Sequence, residues 1–511
     1  MKIIIKKSDQ IREIEFKNKI LISDAIFQSG FEFFMPCGGK QRCMKCRIQT
    51  NGILSEPTEK EKELLTDQEF SNGIRYACMT YAEGNAIVLL PDTVKESIMT
   101  DINFRSGIIA HKRNGYGIAI DLGTTTLAAY LFNLLNGELI DVRSERNPQT
   151  IFGSDVITRI GKSVEGQKQE LADIIRSGIS ELCLSLNSTD EINSMVITGN
   201  TAMLYLLAGR DIKSISAAPF IADCLFGYVT NTDELGIKGI NASVYLPDCV
   251  SAFIGADTVC AALSENLDTA TDNVIIIDIG TNGEVMLKAR EKLLCCSTAA
   301  GTAFEGEGIT MGMTARDGAI YSISAINGEL YSKTIGNIKS SGLCGTGIVD
   351  AVATLIDLGC IDETGLIIEN CKYYIKYKDE NSIKIIDDIV ITQKDIRALQ
   401  LAKAAICAGI ETLIHYAKLS VNDIDRLIIA GGFGTALSTA SAVKIGLIPK
   451  ELYEKAYSVG NAAAAGAAIM LIDPDKKNRS KSISVFAETI ELSTDTFFFD
   501  RYISDMGFSL E

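Results

Sequence analysis

The sequence predicts a small α+β domain followed by a much larger α/β domain, and three observations predict it. Alternating apolar strands flank a cysteine-rich loop, "CGGKQRCMKC" at residues 37–46. An apolar strand, an Asp-x-Gly-Thr turn and a second apolar strand occur twice, in "YGIAIDLGTTTLAAYLF" and "VIIIDIGTNGEVML", which signals an internal duplication. A buried strand also runs into a glycine cluster in "RLIIAGGFGTAL" at 426–437. The expected boundaries are 1–92 for the small domain, 93–114 for a linker and 115–511 for the large domain.

At 511 residues the chain exceeds what one core serves. With 47% hydrophobic and 22% charged residues it has the composition of an ordinary globular protein. A net charge of −16 argues against a nucleic-acid partner, which needs Lys and Arg to neutralise phosphates. The start "MKIIIKKSDQ" lacks a signal-peptide apolar run and no membrane-length apolar stretch follows, so a cytoplasmic protein without a membrane partner is expected. In that reducing compartment the 14 cysteines read as metal ligands or core thiols, not disulfides. Ten of them are scattered, mostly in apolar contexts, and read as small buried hydrophobes.

In the first domain, "KIIIK" and "IREIEF" alternate as hairpin strands, "LISDAIFQSG" reads as a short helix and "NAIVLLP" as a closing strand. The remaining cysteines are Cys37, Cys43 and Cys46, then Cys78 after 31 residues. Zinc accepts four thiolates, but structural zinc sites usually come as two short Cys pairs, and here the fourth cysteine stands alone. Three plus one matches a [2Fe–2S] cluster better, and the loop resembles that of vertebrate-type and bacterial [2Fe–2S] ferredoxins of β-grasp fold. Gln41 and Met44 depart from that pattern, standing where glycine is common. The linker has no clear period, and its His111 reads as a solvated side chain.

In the large domain each duplicated turn offers what a phosphate needs. Gly123, Gly280 and Gly283 let backbone N–H groups face anionic oxygens, while Thr124, Thr125, Thr126, Thr281 and Asn282 add side-chain donors. A carboxylate beside a triphosphate repels it without a cation between them, so Asp121 and Asp278 imply Mg²⁺, held partly through water. The plain alternative is two hairpins whose Asp and Thr make only local turn hydrogen bonds. In the third motif, Gly431, Gly432 and Gly434 form a bare glycine turn against which a nucleoside can lie, with Phe433 packing below or touching it. The order of these motifs resembles the acetate and sugar kinase/Hsp70/actin superfamily, which implies two RNase H-like lobes with ATP between them. "LPDCVSAFIGADTVCAAL" (246–263) and "GNAAAAGAAIML" (460–471) read as two small-residue helices able to cross closely. In the chaperone branch of that superfamily an acidic residue precedes the proline of the first such helix; here it is Leu246, so no hydrolytic base is evident.

The whole layout resembles the reductive activators of corrinoid proteins, with "GNTAML", "AAGTAFEGEGITMGM", "GLCGTGIVDAVATLIDLG" and "AGGFGTAL" as matching stretches. The resemblance implies ATP-dependent reduction of a corrinoid protein from Co(II) to Co(I) by an electron from a [2Fe–2S] cluster, in an anaerobic methyl-transfer system such as an O-demethylase. It also implies an external low-potential electron donor, admits a homodimer, and places Gly301 and Glu305 of "GTAFEG" near the nucleotide. The bland reading of Glu305 is a helix start; for Cys344 a packed small residue is favoured over a catalytic thiol. Two other functions stay open: an ATPase activator of a radical or dehydratase enzyme, and a kinase or chaperone-like ATP-binding protein with a zinc-stabilised N-terminal module.

Overall fold

The computed structural model describes residues 1–7, 10–31, 33, 41, 46–91, 110–188, 191–280 and 282–508. Cys37, Cys43, Met44, Thr281 and most of the linker lie outside the described residues. The chain divides into two compact units, 1–95 with 147–175, and 96–146 with 176–511.

The first unit is built on one mixed sheet of β1 (Lys2–Lys7), β2 (Gln10–Glu15), β3 (Ile20–Leu21), β4 (Arg47–Leu54), β5 (Ile74–Tyr76) and β6 (Tyr81–Leu89). Its order is β2-β1-β6-β4-β5, with β3 also on β6. The alternation that marked these strands sets their faces: in β1, Ile3 and Ile5 are buried, and in β6 every second residue from Ala82 to Val88 is buried. Helix Ile22–Gln28 lays Ile22, Ala25 and Ile26 into the same core as Cys46 and Cys78. Segment 147–175 contributes helix Val156–Lys162, whose first turn is capped by Asp155 through a 2.7 Å bond from the Thr158 amide.

The second unit contains two six-stranded sheets with one plan. In the first, β7 (Tyr116–Leu122), β8 (Thr126–Asn133) and β9 (Leu139–Arg146) run antiparallel. β10 (Ile192–Gly199) lies parallel beside β7, and β12 (Ser243–Leu246) parallel beside β10, with β11 (Tyr228–Asn231) at the edge. In the second, β13 (Val274–Ile279), β14 (Gly283–Ala289) and β15 (Lys292–Thr298) repeat the antiparallel trio. Strand Arg426–Ala430 lies parallel beside β13, Ala456–Gly460 beside that, and Ala487–Thr489 closes the other edge. The registers also repeat: Asp121 stands opposite Ala128 and Thr198, and Asp278 opposite Glu284 and Ala430. Strands β7 and β13 read as apolar runs because both faces of each are covered.

The two small-residue helices are Ala256–Ser264 and Ala462–Ile472. They cross closely: a Cβ on Gly466 would come within 2.0 Å of the Cys260 carbonyl oxygen. The stretch read as one helix over 246–263 is a correction. Leu246 closes β12, Pro247 lacks the N–H a helix needs, and helix begins only after Gly255. Among the described residues no helix is long and apolar enough to cross a membrane.

Candidate functional site

In the second unit a cavity of about 660 Å³ opens where the two hairpin turns and the glycine cluster meet. Of the residues singled out by sequence, Asp121, Gly123, Thr124, Thr125, Thr126, Asp278, Gly280, Asn282, Glu305, Gly431, Gly432 and Phe433 line it. Gly283, Gly301 and Gly434 are not on its wall. Gly283 is taken up in β14, where its carbonyl accepts from Thr298 Oγ1 at 3.2 Å, and Gly434 packs on Ile429.

Asp121 stands at the end of β7 and accepts a 2.7 Å hydrogen bond from Asn461 Nδ2. Asn461 is itself the cap of helix Ala462–Ile472, its Oδ1 receiving the Ala464 amide at 2.8 Å. Asn200 repeats the device: it caps helix Thr201–Ala208 through the Met203 amide and donates Nδ2 to Thr124 Oγ1 at 3.1 Å. Each helix start therefore orients one part of the first turn. Thr125 Oγ1 donates to Glu305 Oε1 at 3.3 Å, which ties that turn to the short turn Ala303–Glu305.

The expected bare glycine turn is the first turn of helix Gly431–Ala436. Gly431 has φ +83°, and a Cβ there would meet Asp278 Oδ1 at 2.5 Å, so glycine is what lets the helix start against that carboxylate. Phe433 packs on Phe304 with ring centroids 5.1 Å apart and also faces the cavity. Cys344 is buried at the start of helix Gly345–Asp357 with its thiol on the Ile320 carbonyl, a packed residue on the cavity wall.

Five carboxylates line the cavity, those of Asp121, Asp257, Asp278, Glu284 and Glu305, and among the described lining residues there is no Lys, Arg or His. Burial, reinforced by the Asp121 charge, pushes Asp278 up to about 6. Burial likewise raises Asp121, against the Asn461 amide, and raises Asp257 and Glu284, where neighbouring carboxylates add to it. The charged side chains described on this wall are all negative, so the donor set fits a hard divalent cation beside an anionic ligand. Asn200, Asn461, Asp257 and Glu284 were missed in sequence. Two carried a signal, a Gly-Asn pair between a strand end and a helix start, in "GNTAML" and "GNAAAAG".

In the first unit, Cys46 and Cys78 are 2% and 3% exposed, and their sulfurs lie 3.3 Å apart. That is far longer than a disulfide at about 2.05 Å. It approaches the separation of about 3.8 Å set by two sulfurs at 2.3 Å from one tetrahedral metal. The convergence is built by backbone. The Ala77 amide donates to the Cys46 carbonyl at 2.9 Å, and the turn from Tyr76 to Thr80 folds Cys78 inward through amides of Met79 and Thr80 onto Tyr76. The first amides of helix Ile22–Gln28 cap that turn at Thr80 and Ala77. Gln41 has φ +54°, the left-handed conformation glycine would adopt without strain, and its side chain donates to the Cys78 carbonyl at 3.3 Å. Two buried thiols so placed fit a metal or an iron–sulfur cluster. His111 is exposed, and its Nε2 also lies 3.0 Å from Asp473.

Comparison with known proteins gives a consistent picture. A family model described as the C-terminal domain of RACo, the ASKHA domain, matches residues 272–511, and one described as the RACo middle region matches 116–270. Among curated proteins, the corrinoid activation enzyme RamQ of Eubacterium limosum is 29% identical, with 97% of each chain covered. The [Co(II) methylated amine-specific corrinoid protein] reductase of Methanosarcina barkeri is 23% identical over 77% of each chain. Among solved structures, a reductive activator for corrinoid, iron-sulfur protein superposes with a TM-score of 0.72 at 27% identity, covering 99% of this chain and 98% of that one.

Proposed function

The chain belongs to the RACo family, whose middle-region and C-terminal models together take in residues 116–270 and 272–511, and from that premise we infer that it is an ATP-dependent reductive activator of a corrinoid protein, returning cobalt from Co(II) to Co(I). The observation that carries this reading is the pairing, in one chain, of the converged Cys46 and Cys78 thiols with a cavity of phosphate-type turns.

The finer assignments are as follows. Residues 1–92 form a β-grasp ferredoxin domain, 93–114 a linker and 115–511 the two-lobed ATPase. Cys37, Cys43, Cys46 and Cys78 would hold a [2Fe–2S] cluster, which supplies a single low-potential electron. The burial of Cys46 and Cys78 keeps water from the sulfurs, and the Gln41 side chain fixes the Cys78 carbonyl beside them. In the second unit the turn amides around Gly123 and Gly280, with Thr124, Thr125, Thr126, Thr281 and Asn282, hold the phosphates. Asp121 and Asp278 hold Mg²⁺, partly through water, and Gly431, Gly432 and Phe433 receive the adenosine. Asn461 and Asn200 keep Asp121 and Thr124 aimed at the phosphates. ATP shifts the activator's equilibria only through differential affinity for its states, so closure of the cavity on nucleotide must change how the chain binds its partner. The electron comes from an external low-potential donor, and the setting is an anaerobic, cytoplasmic methyl-transfer system with the chain free to act as a homodimer.

The test is anaerobic. Protein carrying iron and acid-labile sulfide, reduced and mixed with ATP, Mg²⁺ and a Co(II) corrinoid protein, yields the Co(I) absorption band. Zinc without sulfide, or an intact cluster with no Co(I) band from any corrinoid protein, rejects the reading.

A further inference from the structure

Apart from the nucleotide cavity, the second unit holds another of about 530 Å³. It is bounded by helix Gln393–Tyr416, helix Thr439–Lys444, the segment 446–453 and the turn that follows helix Thr496–Ser504. On its wall, in the middle of the long helix, is Lys403, 1% exposed. Its ammonium donates to the Gly507 carbonyl and lies 5.4 Å from the centre of the Phe508 ring. Among the described residues no carboxylate stands within ion-pair distance of it.

A buried ammonium is costly unless its charge is compensated, and one carbonyl with one ring face compensates only part of it. Burial accordingly draws Lys403 down to about 8, against the pull of Cys407 and Asp505. The same cavity is lined by apolar Val443, Ile448, Tyr453 and Phe508 and by two further lysines, Lys444, which pairs with Asp357 at 2.8 Å, and Lys450. Gly446, at φ +73°, leaves the approach to the ammonium open, since a Cβ there would stand 3.1 Å from Nζ. A charged head group buried at one side of an apolar cavity of ligand size is the architecture of a small-molecule site.

We propose that this cavity binds a small organic monocarboxylate with an apolar or aromatic body, its carboxylate pairing with Lys403. Asp505 also lines the cavity. It is the one acidic residue on the described wall, and its carboxylate is held by Arg501 Nη2 and Ser504 Oγ, each at 3.1 Å, so Lys403 is left as one buried positive charge, which a single carboxylate matches. The ligand body lies on Tyr453 and Phe508. This inference stands independently of the redox reading.

The test uses the full-length, cluster-loaded protein under anaerobic conditions, with benzoate, benzamide and phenyl phosphate as probes. Acetylation of Lys403 by acetic anhydride is followed by peptide mass spectrometry, with Lys292 as the exposed control. Saturating benzoate is expected to slow acetylation of Lys403 by about tenfold or more, the scale of a charge-assisted contact. Benzamide and phenyl phosphate leave it unchanged, and Lys292 reacts alike throughout. Benzoate raises the melting temperature of the wild type and of Lys292→Gln but not of Lys403→Met. Should Lys403→Met fail to fold, protection in the wild type decides alone. Equal protection by benzamide, or none by benzoate, overturns the proposal; stronger protection by phenyl phosphate overturns the choice of a carboxylate.

Discussion

Glu61, in the unit that carries the cysteines, and the carboxylates that line the large cavity of the second unit differ in whether the chain itself supplies a counter-charge. Glu61 is 0% exposed, yet it receives Arg75 Nε and Nη2 at 3.0 Å each, the Thr58 and Tyr76 amides, and Thr80 Oγ1. Burial works to raise its pKa, but the Arg75 guanidinium and the two amides outweigh it and hold the carboxyl below the usual range. In the cavity, the Asp278 carboxylate accepts no hydrogen bond from the described residues, and burial, with the Asp121 charge, leaves it at about 6. The two shifts run in opposite directions because Glu61 has a guanidinium and two amides against its burial, whereas burial of Asp278 is reinforced by the charge of Asp121. Glu61 is compensated within its own unit, whereas the five carboxylates of the cavity have no Lys, Arg or His beside them among the described lining residues.

Breaking the completed pair has the largest effect. Arg75→Met strands Glu61 in the core and is expected to cost the first unit about 3–5 kcal/mol, read by chemical denaturation, with much of it recovered in the Glu61→Leu/Arg75→Met double variant. The same operation in the cavity has the opposite sign. Asp278→Asn removes a poorly solvated charge and is expected to stabilise nucleotide-free protein at pH 8 by about 1–2 kcal/mol, while abolishing the rise in melting temperature given by ATP with Mg²⁺.

The pH dependence sharpens the contrast. With a folded value of about 6 for Asp278 and an unfolded one near 3.9, the folded state keeps the proton longer. The nucleotide-free protein should therefore lose stability as pH rises from about 4 through about 6, then level off. Glu61 runs the other way: its contribution is full above the unfolded carboxylate value and is lost as pH falls through the lower folded one. Urea midpoints measured across this range with and without ATP and Mg²⁺ check both, because the bound cation should erase the cavity's loss and leave the Glu61 trend intact. The smallest effect is expected from Asn461→Ala, which removes a helix cap and the bond to Asp121 and costs about 1 kcal/mol in stability. Its clearer readout is a higher Kd for ATP by calorimetry.

The residues most legible in sequence are those whose chemistry is local. The alternation in "KIIIK" and "IREIEF" sets which face of a strand is buried, and the doubled Asp-x-Gly-Thr turn repeats as two sheets of one plan. The cavity's other members are not local. Asn200, Asn461 and Asp257 sit at three helix starts that only the parallel strand order brings to one place, and none stands out in the sequence by itself. Glu284 was hidden as one more residue of a hairpin until its register opposite Asp278 put it inside. His111 is exposed as its linker position suggested, but its contact with Asp473, more than 360 positions away, left no trace in the sequence. The helix read across 246–263 failed at Pro247, where small-residue composition outweighed a missing backbone donor.

The most direct measurement joins the two regions. Reduced, cluster-loaded protein is mixed anaerobically with a Co(II) corrinoid protein and ATP, and the Co(I) absorption band is followed with Mg²⁺, with EDTA, and in Asp278→Asn. Co(I) should form only in wild type with Mg²⁺. A full Co(I) yield from ATP in EDTA, or from Asp278→Asn, would contradict the claim that a cation held at these carboxylates lets nucleotide drive the reduction.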